Sequence, residues 1–147
     1  MVPMKAVVLY KSLTGTTRKA AELIAGNLQQ EGWGITAVCP WSRPEMAAIQ
    51  EADVVIIGSW VDGMFAFGQK PFGIGAIRNL PAINGKLAAT YCTFAVNPGH
   101  TLDKLGVAVG GLGAEVVGGL ALQRFKLAAH SEEFAARLVA NVPLPLR

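Results

Sequence analysis

Cysteine, histidine and charge are all scarce in this sequence. The 147 residues include two cysteines, Cys39 and Cys92, and two histidines, His100 and His130. Two cysteines without CxxC spacing exclude a disulfide framework. Beside Ala37, Val38 and Tyr91 they read as reduced thiols that face a core. With so few nitrogen and sulfur ligands, and none clustered, no metal site is expected. Charged residues make up only 16% of the chain and apolar ones 52%, which excludes a disordered polypeptide and leaves a globular domain with a large core. Basic runs interleaved with aromatics are also missing. A net charge of +3 with a pI near 9.1 is too mild to argue for nucleic acid.

Long hydrophobic runs are lacking despite a mean hydropathy of +0.39. Asp103, Glu115 and the Asn97-Pro98-Gly99 turn interrupt the apolar stretches before any reaches the ~18–20 residues of a spanning helix. No membrane insertion is therefore expected. A parallel sheet buried on both faces accounts for the hydropathy instead. Met1 to Lys5 runs into an apolar strand without signal-peptide architecture, so the expected location is cytoplasmic. The length suits a single domain over residues 1–147.

What is present is an alternation of short apolar runs and helical stretches. Strands are expected at Lys5–Tyr10, Ile35–Cys39, Asp53–Gly58, Lys86–Phe94 and Ala114–Leu122. Ala20, Leu23, Ile24, Ala25 and Leu28 share one face of a helix from about Thr16 to Gln30, which Gly32 stops. A brief helix over Pro44–Gln50 has Ser42 as its candidate cap, and a weak one follows over Pro71–Leu80. Further helices are expected over Thr101–Gly110 and from Ser131, as N-cap, to about Ala140. Crossovers of this length predict an open α/β sheet of parallel strands with helices on both faces.

In such a sheet, ligands sit outside the carboxyl ends of the strands. The loops to search are then Lys11–Thr17, Ser59–Lys70 and Ala95–His100. The first carries Ser12, Leu13, Thr14, Gly15, Thr16 and Thr17: four hydroxyls around a glycine at the start of a helix. Free backbone N–H groups and the positive dipole end already favour an anion there. The hydroxyls add neutral donors, and the glycine lets the backbone curl close. A phosphate is the natural guest, whereas an ordinary helix cap needs only one hydroxyl. No lysine follows Gly15 as a Walker loop requires, and GxGxxG is absent after the first strand. Tyr10-Lys11 and Gly58-Ser59 stand where a receiver domain needs acids. No GxSxG elbow occurs.

Ser12 to Thr17, read as Ser-x-Thr-Gly-x-Thr after the first strand, resembles the FMN-phosphate loop of the flavodoxin family. Ala52–Ser59, Leu80–Lys86 and Gly113–Gly118 extend the likeness along the chain. The resemblance implies a doubly wound five-stranded parallel sheet in the order 2-1-3-4-5 and FMN bound non-covalently. The phosphate would lie on Ser12, Thr14, Thr16 and Thr17. The ring would lie between the loops after strands three and four, against Ser59, Trp60, Val61, Asp62 and Gly63 on one side and Phe94, Ala95, Asn97 and Gly99 on the other. Asp62-Gly63 resembles the turn that answers the redox state of the flavin. The tyrosine usual after the fourth strand is missing, so one ring face lacks that aromatic; Trp60 reads either as a stacking partner or as a loop anchor.

The expected function is electron transfer, or flavin-dependent reduction, toward a redox partner protein or small electron acceptor. No residue stands out as a catalytic acid or base. The alternative is a non-catalytic protein of the same fold that holds another phosphorylated ligand or none.

Overall fold

The computed structural model describes residues 4–11, 15–62, 70–71, 77, 80–95 and 98–142. Six strands form: β1 (Lys5–Tyr10), β2 (Gly34–Pro40), β3 (Val54–Asp62), β4 (Lys70–Pro71), β5 (Leu87–Phe94) and β6 (Glu115–Gln123). Among the described residues they are accompanied by the helices α1 (Thr16–Gln30), α2 (Met46–Glu51), α3 (Thr101–Gly110) and α4 (Leu127–Asn141). The sheet order is β2-β1-β3-β5-β6, and every pairing along that path is parallel. Only the two-residue β4 departs, pairing antiparallel with the end of β3. Without it, the order is the expected 2-1-3-4-5.

Parallel strands covered on both faces must be apolar at every position, not at alternate ones. Ala6 to Leu9 and Val54 to Ile57 are accordingly all buried. The core has two halves. Val8, Ile56 and Tyr91 pack under α1 and α4 with Ile24, Leu28, Phe134 and Leu138. Val7, Leu9, Val55 and Ile57 pack on the opposite face with Trp41, Ile49, Leu105 and Val109. Both cysteines are buried and free, as expected. No described helix is long and apolar enough to cross a membrane.

Four local expectations are corrected. β3 does not stop at Gly58 but continues to Asp62, because β5 pairs with it as far as Trp60 and β4 pairs with Val61 and Asp62. Ser59, Trp60, Val61 and Asp62 are therefore strand residues rather than loop residues. Pro71 likewise lies in β4, while most of the weak helix expected over 71–80 falls outside the described residues. Ser42 caps nothing: α2 begins at Met46 with Glu45 before it and no side-chain cap. Ser131 is not a cap either, since α4 starts four residues earlier at Leu127 and Ser131 is buried inside it. The start at Leu127 follows from a 3-10 turn, Arg124–Lys126, that feeds straight into the helix.

Candidate functional site

Backbone bonds gather the carboxyl ends of the first three strands. Trp41 donates its N–H to Tyr10 O at 2.9 Å, and Lys11 donates to Gly58 O at 2.9 Å. From this edge the chain enters α1 through Gly15, whose φ is +93°. A Cβ on Gly15 would meet nothing within 4 Å, so the backbone conformation, not crowding, demands the glycine.

Gly15 has no side chain with which to cap the helix. The first intrahelical bond runs from Lys19 N–H to Gly15 O at 2.9 Å, which leaves the N–H groups of Thr16, Thr17 and Arg18 outside the helical ladder. No acid stands in the first turn to compete for them. Arg18 pairs with Glu22 at 3.0 Å, but both are mostly exposed and such a pair contributes little. The end of α1 is thus an anion-favouring surface beside β1 and β3.

Beneath it lies a cluster the sequence did not announce. Thr17 is buried, and its hydroxyl lies 3.0 Å from that of Thr93 on β5. The hydroxyl of Tyr91, two residues earlier on the same face, donates to the carbonyl of Thr17 at 2.9 Å. Tyr91 fits because its partner across the β3–β5 register is Gly58: any Cβ there would run into the tyrosine ring. Burial holds the Tyr91 phenol well above its ordinary pKa, with Tyr10 nearby adding to the shift, so it remains a donor. Gly58, Tyr91 and Thr93 therefore anchor the first turn of α1 to the sheet. The available signal was periodicity: Tyr91 and Thr93 are two apart in a strand otherwise almost wholly apolar.

The structure brings several expected site residues together. Thr17 touches Thr93, and Trp60 is the register partner of Thr93 on the next strand. Thr16 is half-buried and Gly15 exposed at the surface above them. Ser59 is buried, and Trp60 and Val61 are half-buried. On the other side, Phe94 ends β5 half-buried, Ala95 is exposed, and Gly99 turns with φ +56° toward α3. Asp62 takes part through its backbone pairing with Lys70. Ser12, Leu13, Thr14, Gly63 and Asn97 lie outside the described residues.

Burial lifts the Cys92 thiol to about 12, and Cys39 is also raised chiefly by burial. Neither is a thiolate nucleophile at neutral pH. No group of three or more His, Cys, Asp or Glu suited to a metal occurs among the described residues. A cavity of about 150 Å³ between β6 and α4, lined by Gly118, Phe134 and Arg137 among others, lies away from the strand ends.

Comparison with known proteins places these observations in a family. The profile of the flavodoxin domain matches residues 7–102. No curated protein matches at the level of sequence. Among solved structures, oxidised flavodoxin 1 from Bacillus cereus superposes with a TM-score of 0.70 at 23% identity, over 95% of this chain and 99% of that one. Two-electron reduced flavodoxin from Megasphaera elsdenii gives 0.70 at 16% identity, over 89% and 98% respectively. Rubredoxin oxygen:oxidoreductase from Desulfovibrio gigas gives 0.65 at 20% identity, over 97% of this chain but 38% of the longer one.

Proposed function

The chain belongs to the flavodoxin family, and on that footing we propose that it binds FMN without a covalent link and, as a single cytoplasmic domain, passes electrons to a partner protein or a small acceptor. One observation carries the reading: α1 opens at the carboxyl end of β1 with its first N–H groups outside the helical ladder, a left-handed glycine at its N-cap and no acid in its first turn. A phosphate dianion suits that end, whereas a neutral ligand would forgo both the dipole and the charge-assisted hydrogen bonds.

Ser12, Thr14 and Thr16 would hold the phosphate with their hydroxyls, and Thr17 chiefly with its backbone N–H, its own hydroxyl being committed to Thr93. Trp60 and Val61 would border one side of the ring, with Asp62-Gly63 at its edge. Phe94, Ala95, Asn97 and Gly99 would border the other. FMN, when bound, supplies the redox chemistry, and the protein supplies position and electrostatics. Among the described residues, Cys39 and Cys92 are both held as thiols, so no cysteine assists the transfer.

The missing aromatic beyond Phe94 favours one second reading, a non-catalytic binder of another phosphorylated ligand. Absorbance decides between them. The purified chain is expected to be yellow, or to become so with added FMN, and to release FMN on heating. A colourless chain that gives no heat with FMN in titration calorimetry would overturn the proposal in favour of the second reading.

A further inference from the structure

Phe125 is 77% exposed, one of three large apolar side chains left in water among the described residues. It sits in the 3-10 turn Arg124–Lys126, which leaves the carboxyl end of β6. Three hydrogen bonds hold that turn. Phe125 N–H donates to the Gln123 side-chain oxygen at 2.9 Å, and Gln123 N–H donates to His130 Nδ1 at 3.0 Å. The Gln123 amide then reaches across to Ala95 O, donating at 3.3 Å. The turn that presents Phe125 is therefore tied to the loop after β5, on the border of the candidate site. These bonds fix the backbone of the turn on which the exposed ring stands.

Cations flank Phe125 in sequence. The Arg124 guanidinium lies 5.4 Å from the Phe125 ring centroid, and Lys126, next in sequence, is exposed. They belong to a wider asymmetry. Lys11, Lys19, Lys104, Arg124 and Lys126 all lie at the carboxyl ends of the strands or in the turns that start the helices. At that end Asp103 lies 3.7 Å from His100, and Glu22 is paired with Arg18. At the opposite end Glu31, Glu51, Asp53 and Glu115 outnumber Lys5, which pairs with Glu51 at 2.8 Å, and Lys86, while at the site end Glu45 lies beside Arg43. The end that carries the candidate site is the positive one.

We propose that Phe125, flanked by Arg124 and Lys126, is the anchor on which an acidic electron-transfer protein docks beside the candidate site. A large exposed apolar side chain with cations on both sides of it in sequence, on a hydrogen-bonded turn, has the composition of an interface anchor with a charged rim. The positive field would steer an acidic partner toward this end and not the other. A second copy of the chain is disfavoured because it would bring the same positive end to the contact. An anionic membrane is disfavoured because one aromatic and two cations on a single turn fall short of the double anchoring that stable attachment needs. The electron-transfer nature of the partner rests on the proposed function; the contact itself does not.

The test replaces Phe125 with a photo-crosslinking phenylalanine in living cells, and in a control places the same group at Val107, which is 78% exposed on α3. The expected product is specific to position 125 and joins the chain to an acidic redox protein. With that protein purified, titration calorimetry should show affinity falling at least about tenfold in Phe125→Ser and in the double variant Arg124→Glu/Lys126→Glu. It should also weaken from low to physiological salt. Unchanged thermal midpoints would show that the variants fold. No product specific to position 125, a product with lipid or with a second copy, or an affinity indifferent to Phe125→Ser would each overturn the proposal. Flavin content, read separately by absorbance, shows whether the FMN reading stands whatever the cross-link reports.

Discussion

The hydroxyls of Thr17 and Thr93, 76 residues apart in sequence, lie 3.0 Å apart in the interior, joining the first turn of α1 to β5. Thr93→Val should leave the buried Thr17 hydroxyl without its partner and cost about 1–3 kcal/mol. Replacing both residues by valine should recover most of that, since two apolar isosteres leave nothing unsatisfied. Urea unfolding of the two single variants and the double variant gives the cycle. A double variant as unstable as the sum of the singles would mean the pair is not coupled.

The phosphate reading makes a separate demand. Thr14→Ala combined with Thr16→Ala should weaken FMN by at least about tenfold, because each hydrogen bond to a charged group contributes roughly 1.5–3 kcal/mol. Riboflavin, which has no phosphate, should be little affected. Equal losses for both ligands in titration calorimetry would place the phosphate elsewhere.

Trp60 faces the same cluster through its register partner Thr93. Stacking against the ring would add about 0.5–1.5 kcal/mol beyond area burial and would quench part of the tryptophan emission. Trp60→Ala should abolish that quenching and weaken FMN by several-fold. Trp41 cannot take over the role, because it is buried among Leu9, Cys39 and Ile49 on the other face of the sheet. Quenching that survives Trp60→Ala would reduce Trp60 to an anchor.

Tyr91 links the same cluster to alkaline pH. In the unfolded chain its phenol ionises near the ordinary tyrosine value of about 10, whereas burial raises its folded pKa well above that. Between the two values the unfolded state binds fewer protons than the folded one, so stability falls as pH rises. Below about pH 10 the group contributes its full stabilisation. Tyr91→Phe should cost stability at neutral pH through the lost bond to Thr17 O, yet flatten the decline above pH 10. Equal slopes in wild type and variant, measured by chemical denaturation across that range, would remove Tyr91 from the alkaline transition.

Much of this was legible in the residues. Continuous apolar runs at Ala6–Leu9 and Val54–Ile57 specify strands buried on both faces, and this pattern survives any detail of packing. The hydroxyl-rich stretch Ser12–Thr17, with Gly15 in it, marks the start of α1, a local property of the backbone. Helix caps were less secure. Ser131 has a cap's chemistry, but the 3-10 turn before it starts α4 earlier, and the side chain is buried in the helix instead.

The sequence by itself determined the parallel α/β framework and its strand sequence along the chain, and it is the ground for proposing an anion at the start of α1, because each follows from periodicity or from short-range backbone geometry. Tertiary structure alone decided how that place is held. Whether the Thr17 hydroxyl faces a ligand or the interior depends on Thr93 and Tyr91, which reach it only when β5 packs beside β3. Tyr91 has room only because Gly58, its partner in that register, has no side chain. The place of the Phe125 turn beside the loop after β5 was settled in the same way, by a glutamine that bonds across from the end of β6. Such contacts join residues far apart in the chain, and only the pairing of strands brings them within hydrogen-bond distance.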